Sequence, residues 1–318
     1  MASDVRAVAI VGAGLMGVGI AVAMSAARIP CALFDPEENA RALVPERITS
    51  IAHQIGLDAD ELLRFVSVHF TLASAVRGAT MVIEAGPENI EVKRAIFTEL
   101  STLTESTILA SNTSAIPISV IAERVNQPSR VLGTHFWNPP YLVPLVEVVQ
   151  GPSTSSDVVE ATMELLTAAG LKPVHVRTDV PGFVGNRMQH ALKREAIALV
   201  ASGVCSAETV DMVVREGFGR RLALVGPLEQ ADLGGTDLTL AIHEVLMPDL
   251  DVTAVPHPFL VAMVDRGDLG AKTGRGFYEW TPGDADRRRA QIAQGLLEQS
   301  DRVNQDESTG HGRKHVDE

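Results

Sequence analysis

The sequence is poor in cysteine, in basic residues and in long apolar stretches. Only Cys31 and Cys205 are cysteines among 318 residues, so no disulfide framework is expected and a reducing compartment is indicated. No apolar run reaches the ~20 residues that a membrane-spanning helix needs, and no basic segment precedes a cleavable signal. We therefore expect a soluble cytoplasmic protein that is long enough for two domains.

The shortage of positive charge restricts the possible partners. The chain has 27 Lys and Arg against 40 Asp and Glu, a formal net charge of −13. The negative electrostatic field of such a chain argues against nucleic acid or an anionic membrane as a partner. A polyanionic substrate such as coenzyme A would need a local basic patch to overcome it.

The N-terminal residues carry a nucleotide-binding pattern. Val5–Val11 predicts a buried strand, Gly19–Ala27 a helix, and Cys31–Phe34 a second strand. Between the first strand and the helix stands the glycine-rich segment Gly12-Ala13-Gly14-Leu15-Met16-Gly17. Strand, glycines, helix and strand in this order are typical of a dinucleotide site.

Each glycine of this segment, and the acid after the second strand, has a physical role. Gly12 permits the tight turn, Gly14 leaves room for a pyrophosphate, and Gly17 lets the helix pack on the strand. The N-terminus of the predicted helix would offer free N–H groups to the phosphates, and Leu15 and Met16, which precede it, are also candidate cofactor-binding residues. Asp35, 18 residues after Gly17, would accept hydrogen bonds from the adenosine ribose and repel a 2′-phosphate, which favours NAD over NADP.

His135 and Glu147, twelve residues apart, are candidates for proton transfer. Val131–Phe136 and Leu145–Val149 predict two strands joined by a proline-rich turn, and such a hairpin would bring the two side chains together. A histidine can move a proton near neutral pH, and a carboxylate beside it can fix its tautomer. A core histidine with a structural role is the alternative.

The order of predicted elements indicates an α/β fold followed by an all-α domain. Strands and helices alternate to about residue 180, and the chain then reads as helices. We expect a Rossmann-type NAD-binding domain over residues 1–181, a helical substrate and dimerisation domain over 182–300, and a disordered polar tail over 301–318. Further predicted elements are the strands Val66–Phe70, Thr80–Glu84, Thr107–Ala110 and Pro173–Val176, and the helices Glu91–Leu103, Pro117–Val125, Ser156–Ala169, Val184–Ser202, Ala207–Glu216 and Pro227–His243.

These features resemble the 3-hydroxyacyl-CoA dehydrogenase family over roughly residues 5 to 280. The resemblance implies NAD as cofactor, a homodimer, and reversible hydride transfer between NAD and the 3-hydroxyl carbon of the substrate. It implies no metal site. Six motifs carry it in the family's order: the glycine-rich segment, Glu88-Asn89-Ile90-Glu91-Val92-Lys93, Ser111-Asn112-Thr113-Ser114, the segment from His135 to Glu147, Val180-Pro181-Gly182-Phe183 with Asn186-Arg187, and Lys272-Thr273-Gly274-Arg275-Gly276-Phe277-Tyr278.

The resemblance also assigns roles to individual residues. His135 matches the catalytic base and Glu147 the acid that orients it, while Ser114 and Asn186 match positions that face the substrate. Glu88, Lys93 and Lys272 match positions near the cofactor's ribose and nicotinamide. Simpler structural roles stay open: a helix cap for Ser114 or Asn186, a solvated pair for Glu88 and Lys93, and a loop charge for Lys272.

Departures from the acyl-CoA branch bear on the substrate. That branch commonly has a lysine where this chain has Pro144, and a lysine-rich helical hairpin after the second strand. Here the segment Pro36–Leu63 is shorter, contains no lysine and carries six acids: Glu37, Glu38, Glu46, Asp58, Asp60 and Glu61. Coenzyme A is therefore disfavoured, although Arg41, Arg47 and Arg64 could partly substitute.

Arg221 also favours a free acid over coenzyme A as part of the substrate. It is similar in placement to the basic residue of relatives that oxidise small free acids, such as gulonate or carnitine dehydrogenases, and a guanidinium can bind a carboxylate through two parallel hydrogen bonds. A surface or interface ion pair is the alternative for Arg221. The sequence thus favours an NAD-dependent dehydrogenase of a small, carboxylate-bearing hydroxy acid, cyclic or aromatic in shape. A 3-hydroxybutyryl-CoA dehydrogenase, an aldehyde oxidation through the hydrate, and an NAD-binding structural protein are the alternatives.

Overall fold

The computed structural model describes residues 7–308 and divides into two compact units. One unit contains the described residues up to Arg187 and those from Ile292 onward; the other is Met188–Gln291. The sequence predicted a boundary after residue 181. Within residues 7–308 no helix is both long and apolar enough to cross a bilayer.

The first unit is built on an eight-stranded sheet with the order β3-β2-β1-β4-β5-β6-β7-β8. All neighbouring strands are parallel except the antiparallel pair β6 and β7, so the predicted α/β fold class is confirmed. The strands are β1 Val8–Val11, β2 Cys31–Phe34, β3 Val66–His69, β4 Met81–Glu84, β5 Ile108–Ser111, β6 Val131–Phe136, β7 Leu145–Gln150 and β8 Lys172–Val176.

Helices cover both faces of this sheet, which explains the uninterrupted apolar character of β1. Val8 and Ile10 face one buried cluster, whereas Ala9 and Val11 face a second. The helices of this half are α1 Leu15–Ala26, α2 Glu38–Ala42, α3 Val44–Ile55, α4 Ala59–Leu63, α5 Leu72–Val76, α6 Ile90–Leu103, α7 Ile118–Ile121 and α8 Ser156–Ala168, with 3-10 turns at Ala122–Arg124 and Pro128–Arg130.

The remaining helices confirm the all-α character of the second half. They are α9 Gly185–Ala201, α10 Ala207–Glu216, α11 Gly219–Leu222, α12 Pro227–Gly234, α13 Thr236–Leu246, α14 Pro258–Asp265 and α15 Asp284–Ser308. The single helix predicted over Pro227–His243 was wrong. It is divided at Gly235, whose φ of +96° is open to glycine but unfavourable for other residues, and this residue ends α12 and caps α13.

The predicted disordered tail requires a correction at its start. Helix α15 continues to Ser308, past the expected tail boundary at 301. Its first half pairs charges three residues apart, Arg287 with Asp284 and Arg289 with Asp286, and charge pairs at this spacing support a polar helix. The rest of the predicted tail, 309–318, and the first residues of the predicted N-terminal strand lie outside the described residues.

Candidate active site

The glycine-rich turn after β1 is shaped by close backbone contacts. Gly12 has a φ of +114°, and a Cβ atom there would lie 2.6 Å from the carbonyl oxygen of Ala85 at the end of β4. A Cβ atom on Gly17 would lie 1.8 Å from the carbonyl oxygen of Gly12. Both positions therefore require glycine, as predicted, and the start of α1 lies directly against the end of β1.

The start of α1 forms an anion cradle of backbone donors. Gly14 is the N-cap, and the first helical hydrogen bond runs over 3.0 Å from the Val18 N–H to its carbonyl. Within the described part of the chain, the N–H groups of Leu15, Met16 and Gly17 have no acceptor, and a Cβ atom at Gly14 would meet nothing within 4 Å. Free donors, a helix N-terminus and an open approach fit the pyrophosphate of a dinucleotide.

Asp35 directly follows β2, beside this cradle. Its Oδ2 accepts the Ala13 N–H at 2.7 Å and its Oδ1 accepts the Glu37 N–H at 2.9 Å. Each carboxylate oxygen retains a further lone pair, so ribose hydroxyls can still be accepted. The carboxylate is thus held in place by two backbone N–H groups and keeps acceptor capacity for a ligand.

His135 and Glu147 stand directly opposite each other on β6 and β7. The His135 Nδ1 lies 2.8 Å from the Glu147 Oε2, and both side chains are buried. The predicted hairpin therefore brings the two side chains together. Because a carboxylate only accepts hydrogen bonds, Nδ1 carries a proton, and in the neutral imidazole Nε2 then has a free lone pair.

The second oxygen of Glu147 binds the start of α9. Its Oε1 accepts the N–H groups of Val184 at 2.9 Å and Gly185 at 3.0 Å. Burial alone would raise the pKa of Glu147, but the hydrogen bonds from His135, Gly185 and Val184 outweigh it and hold this pKa below its ordinary value. Glu147 is therefore ionised at neutral pH and can stabilise a protonated imidazole.

Two aromatic rings enclose the imidazole of His135. The ring centroid of Trp137 lies 5.4 Å away and that of Phe183 lies 5.7 Å away. The indole also packs on Gly185, where a Cβ atom would lie 2.2 Å from its Cζ2. No role was predicted for Trp137, although an aromatic residue two positions after a candidate base is a usable signal in the sequence.

Ser114 and Asn186 are joined by a hydrogen bond. The Asn186 Nδ2 donates to the Ser114 carbonyl oxygen at 2.8 Å. The N-cap of α7 is Pro117, so the alternative of Ser114 as a helix cap was wrong. The structure places these two predicted substrate-facing residues together, next to the helix start that Glu147 holds.

Lys93 is buried between two acids, the buried Glu84 and the half-exposed Glu88. The buried Lys93 Nζ lies 2.8 Å and 3.0 Å from the two carboxylate oxygens of Glu84, and 3.5 Å from the Glu88 Oε2. The alternative of a solvated pair was therefore wrong. Glu84 was missed because an acid at the end of an apolar strand resembles an ordinary strand terminus.

Glu88 connects Lys93 to the Ser114 segment. Its Oε1 accepts the hydroxyl of Thr113 at 2.7 Å and the N–H groups of Ser114 and Ala115 at 3.0 and 3.1 Å. Burial would raise the pKa of Glu88, but these hydrogen bonds and the charge of Lys93 hold it below its ordinary value. An ionised Glu88 thus fixes the backbone whose carbonyl binds Asn186.

Arg221 and Lys272 lie in the second unit. Arg221 is exposed on α11, and it is the neighbouring Arg220 that pairs with an acid, Glu216, at 3.4 Å. Lys272 is exposed in a turn that the bridge between Gly270 and Arg275 closes. Their predicted substrate and cofactor roles stay predictions.

The two halves of the chain match two domains of one known family. The NAD binding domain of 3-hydroxyacyl-CoA dehydrogenase matches residues 7–180, and the C-terminal domain of 3-hydroxyacyl-CoA dehydrogenase matches residues 182–280. The chain belongs to the 3-hydroxyacyl-CoA dehydrogenase family. It is an NAD-dependent oxidoreductase that acts on CH–OH groups, and the predicted class of enzyme and cofactor are confirmed.

Similar proteins have different substrates. A 5-formyl-3-hydroxy-2-methylpyridine 4-carboxylate 5-dehydrogenase of Mesorhizobium japonicum is 34% identical over 92% of this chain and 96% of its own length. A probable 3-hydroxybutyryl-CoA dehydrogenase of Bacillus subtilis is 37% identical over 87% of this chain and 98% of its own. A crystal structure of a 5-formyl-3-hydroxy-2-methylpyridine 4-carboxylic acid 5-dehydrogenase, an NAD+-dependent dismutase, superposes with a TM-score of 0.86, 31% identity, and coverage of 92% and 96%.

Proposed function

We propose that this enzyme oxidises the hydroxyl of a small hydroxy acid that carries a free carboxylate, with His135 as the general base. The observation that carries the proposal is the His135–Glu147 hydrogen bond of 2.8 Å, which leaves the imidazole Nε2 free to accept a proton. The buried, ionised Glu147 then stabilises the imidazolium that forms.

The reaction separates one hydride and one proton from the alcohol. NAD, held by the glycine-rich segment, would supply the acceptor for the hydride that leaves the carbinol carbon. The His135 Nε2 takes the hydroxyl proton as the C=O bond forms, and the imidazolium returns that proton in the reverse reaction. Ser114 and Asn186 are proposed to hold the reacting oxygen, and general-base help of this kind contributes roughly 10²–10⁴-fold.

Three features support a free acid over an acyl-CoA. The segment Pro36–Leu63 has no lysine, Pro144 replaces the lysine common in the acyl-CoA branch, and Arg221 offers a guanidinium that suits a carboxylate. The pyridine carboxylate relative, similar over almost its entire length, oxidises a compact ring acid by its name. A ring substrate also suits a site where the Trp137 indole stands 5.4 Å from the His135 imidazole.

Oxidation of an aldehyde through its hydrate uses the same residues. The pyridine carboxylate relative is named for a 5-formyl substrate. A hydrated aldehyde presents a hydroxyl on the carbon that loses the hydride, so His135 would accept its proton in the same geometry and the product would be a carboxylic acid. Hydroxyl and hydrated formyl groups on a small acid are therefore one substrate class for this site.

A 3-hydroxybutyryl-CoA dehydrogenase is the second candidate. The similarity to the Bacillus subtilis relative, 37% identity over 98% of that protein, favours it. Its catalytic step would be the same, and the two candidates differ only in what binds beyond the reacting carbon.

We also propose a homodimer. In α9–α13 no residue is buried within one chain. Leu224 and Leu228 are 87% and 81% exposed, and such apolar surface is typical of an interface between subunits.

A substrate panel tests the proposed reaction. The purified enzyme with NAD should reduce the cofactor fastest with small ring or 3-hydroxy acids and their formyl analogues, and more slowly with 3-hydroxybutyryl-CoA. His135→Gln should lower turnover at least a hundredfold while NADH binding persists. Arg221→Met should raise KM steeply for the acid and leave kcat nearly unchanged.

Two outcomes would contradict the proposal. Faster turnover of 3-hydroxybutyryl-CoA than of every free acid would transfer the assignment to the second candidate. Turnover of the His135→Gln enzyme close to that of the unmodified enzyme would remove His135 as the base. Mass determination of the product distinguishes a ketone from a carboxylic acid.

A further inference from the structure

We infer that Arg47 is a cofactor-binding residue whose guanidinium supplies positive charge to the pyrophosphate of NAD. Arg47 lies on α3, outside the glycine-rich segment that defines the nucleotide site. The inference depends on NAD binding and is independent of which substrate the enzyme oxidises.

The peptide groups of Ala13 are held from both sides. The Arg47 Nη1 donates to the Ala13 carbonyl oxygen at 2.6 Å, while the Asp35 Oδ2 accepts the Ala13 N–H at 2.7 Å. Ala13 directly precedes Gly14, the N-cap of α1. The guanidinium thus sits at the rim of the anion cradle formed by the unpartnered N–H groups of Leu15 and Met16.

The packing of α3 holds the arginine in this place. Val44, Ile48 and Ala52 form the buried face of α3 and belong to the same apolar cluster as the α1 core residues. Arg47 lies beside this face, half-buried, one turn after Val44. A side chain fixed by packing loses little additional entropy when it binds an anion.

Charge in the nucleotide site has to come from another element. Residues 7–27, which include β1, the glycine-rich segment and α1, contain no charged side chain, and the chain as a whole has a net charge of −13. The backbone dipoles of α1 provide only partial charges. Arg47 brings a full positive charge to this segment, and four of its five N–H donors remain after the bond to Ala13.

Arg41 and Arg47, which the sequence offered as a possible binding patch for coenzyme A, both bind backbone groups of the dinucleotide site. The Arg41 Nη1 donates to the Asp35 carbonyl oxygen at 2.6 Å and to that of Pro36 at 3.0 Å. Arg41 and Arg47 therefore both face the backbone of the dinucleotide site, which makes them unsuitable as a separate coenzyme A patch. Arg64 is exposed and serves as a matched control.

Calorimetric binding of NADH and ADP-ribose tests the inference without any substrate. Arg47→Gln keeps a donor for the Ala13 carbonyl but removes the charge. It should raise the Kd of both ligands roughly tenfold or more, since both contain the pyrophosphate and charge-assisted hydrogen bonds are the strong ones. Arg64→Gln should leave both Kd values within about twofold.

Salt dependence separates a charge effect from a change in loop shape. Added NaCl should weaken NADH binding to the unmodified enzyme more than to the Arg47→Gln enzyme, because only the former has the charge to screen. An unchanged Kd in Arg47→Gln, or a raised Kd with an unaltered salt dependence, would overturn the inference. If Arg47→Gln fails to fold, Arg47→Lys is measured instead, and its NADH binding should have the salt dependence of the unmodified enzyme. Loss of that salt dependence in Arg47→Lys would contradict the role of Arg47.

Discussion

Glu147 contacts both the candidate base and the start of α9 in the candidate active site. One carboxylate oxygen accepts the His135 Nδ1, and the other accepts the N–H groups of Val184 and Gly185. A single ionised group thus selects the histidine tautomer and holds the start of α9. Removal of its charge should therefore affect both catalysis and stability.

Glu147→Gln should lower kcat by roughly 10³-fold or more with little change in the fold. The amide oxygen of the substituted side chain can still accept from the α9 N–H groups, but its NH₂ would donate to Nδ1. The imidazole proton would then move to Nε2, where it blocks the general base. Exposed Glu99→Gln is the control, and full activity of Glu147→Gln would refute the assigned tautomer.

Because the pKa of Glu147 is lowered in the folded enzyme, the free energy of unfolding should decrease as the pH falls. Its pKa in the folded enzyme lies below the ordinary value of 4.5, so the ionised form contributes stability that is complete above this range and is lost as the pH falls through the folded-state pKa. Urea unfolding from neutral pH downward should show Glu147→Gln less stable at neutral pH and the gap narrowing below pH 4.5. A constant gap would contradict this account.

At the scale of elements, the start of α9 and the end of β6 form one packed unit. Gly185 begins α9, binds Glu147 through its N–H, and leaves room for the Trp137 indole. Only the lack of space for a side chain requires this glycine, because its φ lies outside the left-handed region. This contact links helix position to the environment of His135.

Gly185→Ala should lower both stability and turnover. The added Cβ atom would lie 2.2 Å from the Trp137 Cζ2, so either the indole or the helix start must move and the bonds to Glu147 lengthen. Overpacking of this kind costs about 1–3 kcal/mol in the free energy of unfolding, which denaturant titration measures. Gly234→Ala is the control, since its Cβ atom would meet nothing within 4 Å; equal effects of the two changes would exclude the clash.

Local sequence patterns predicted the helices and strands themselves better than they predicted which of these elements contact each other. The bounds of β2, β6 and α10 were predicted to the residue, because apolar runs and caps are local signals. The division of α12 from α13 was missed although the consecutive Gly234 and Gly235 are a local signal for a helix end. Arg47 could not be placed, because its bond joins residues 34 positions apart.

At the scale of the whole molecule, helices α9–α13 expose much apolar surface. None of the residues of α9–α13 is buried, in contrast to the sheet, where all residues of β1, β4 and β6 are buried. Helices with this much exposed apolar surface need a partner surface to be stable in water. The sequence could indicate these helices by their periodicity but not which of their faces would meet the second subunit that we propose.

Sedimentation velocity over a range of concentrations should show a dimer that dissociates on dilution. Replacement of both Leu224 and Leu228 by serine should shift the equilibrium towards the monomer and lower Tm, because less apolar surface would be buried in the interface. Phe70→Ser is a matched control, since Phe70 is 80% exposed but lies in the first unit. A monomer at every concentration of the unmodified enzyme would refute the dimer.

The antiparallel pairing of β6 and β7 has a consequence for where insertions can be tolerated. Ladder register sets His135 opposite Glu147. Because side chains alternate between the two faces of a sheet, one residue inserted inside β6 before His135 would turn the imidazole to the opposite face. A shift of a single position in this ladder would therefore separate the imidazole from its carboxylate even if the sheet itself survived.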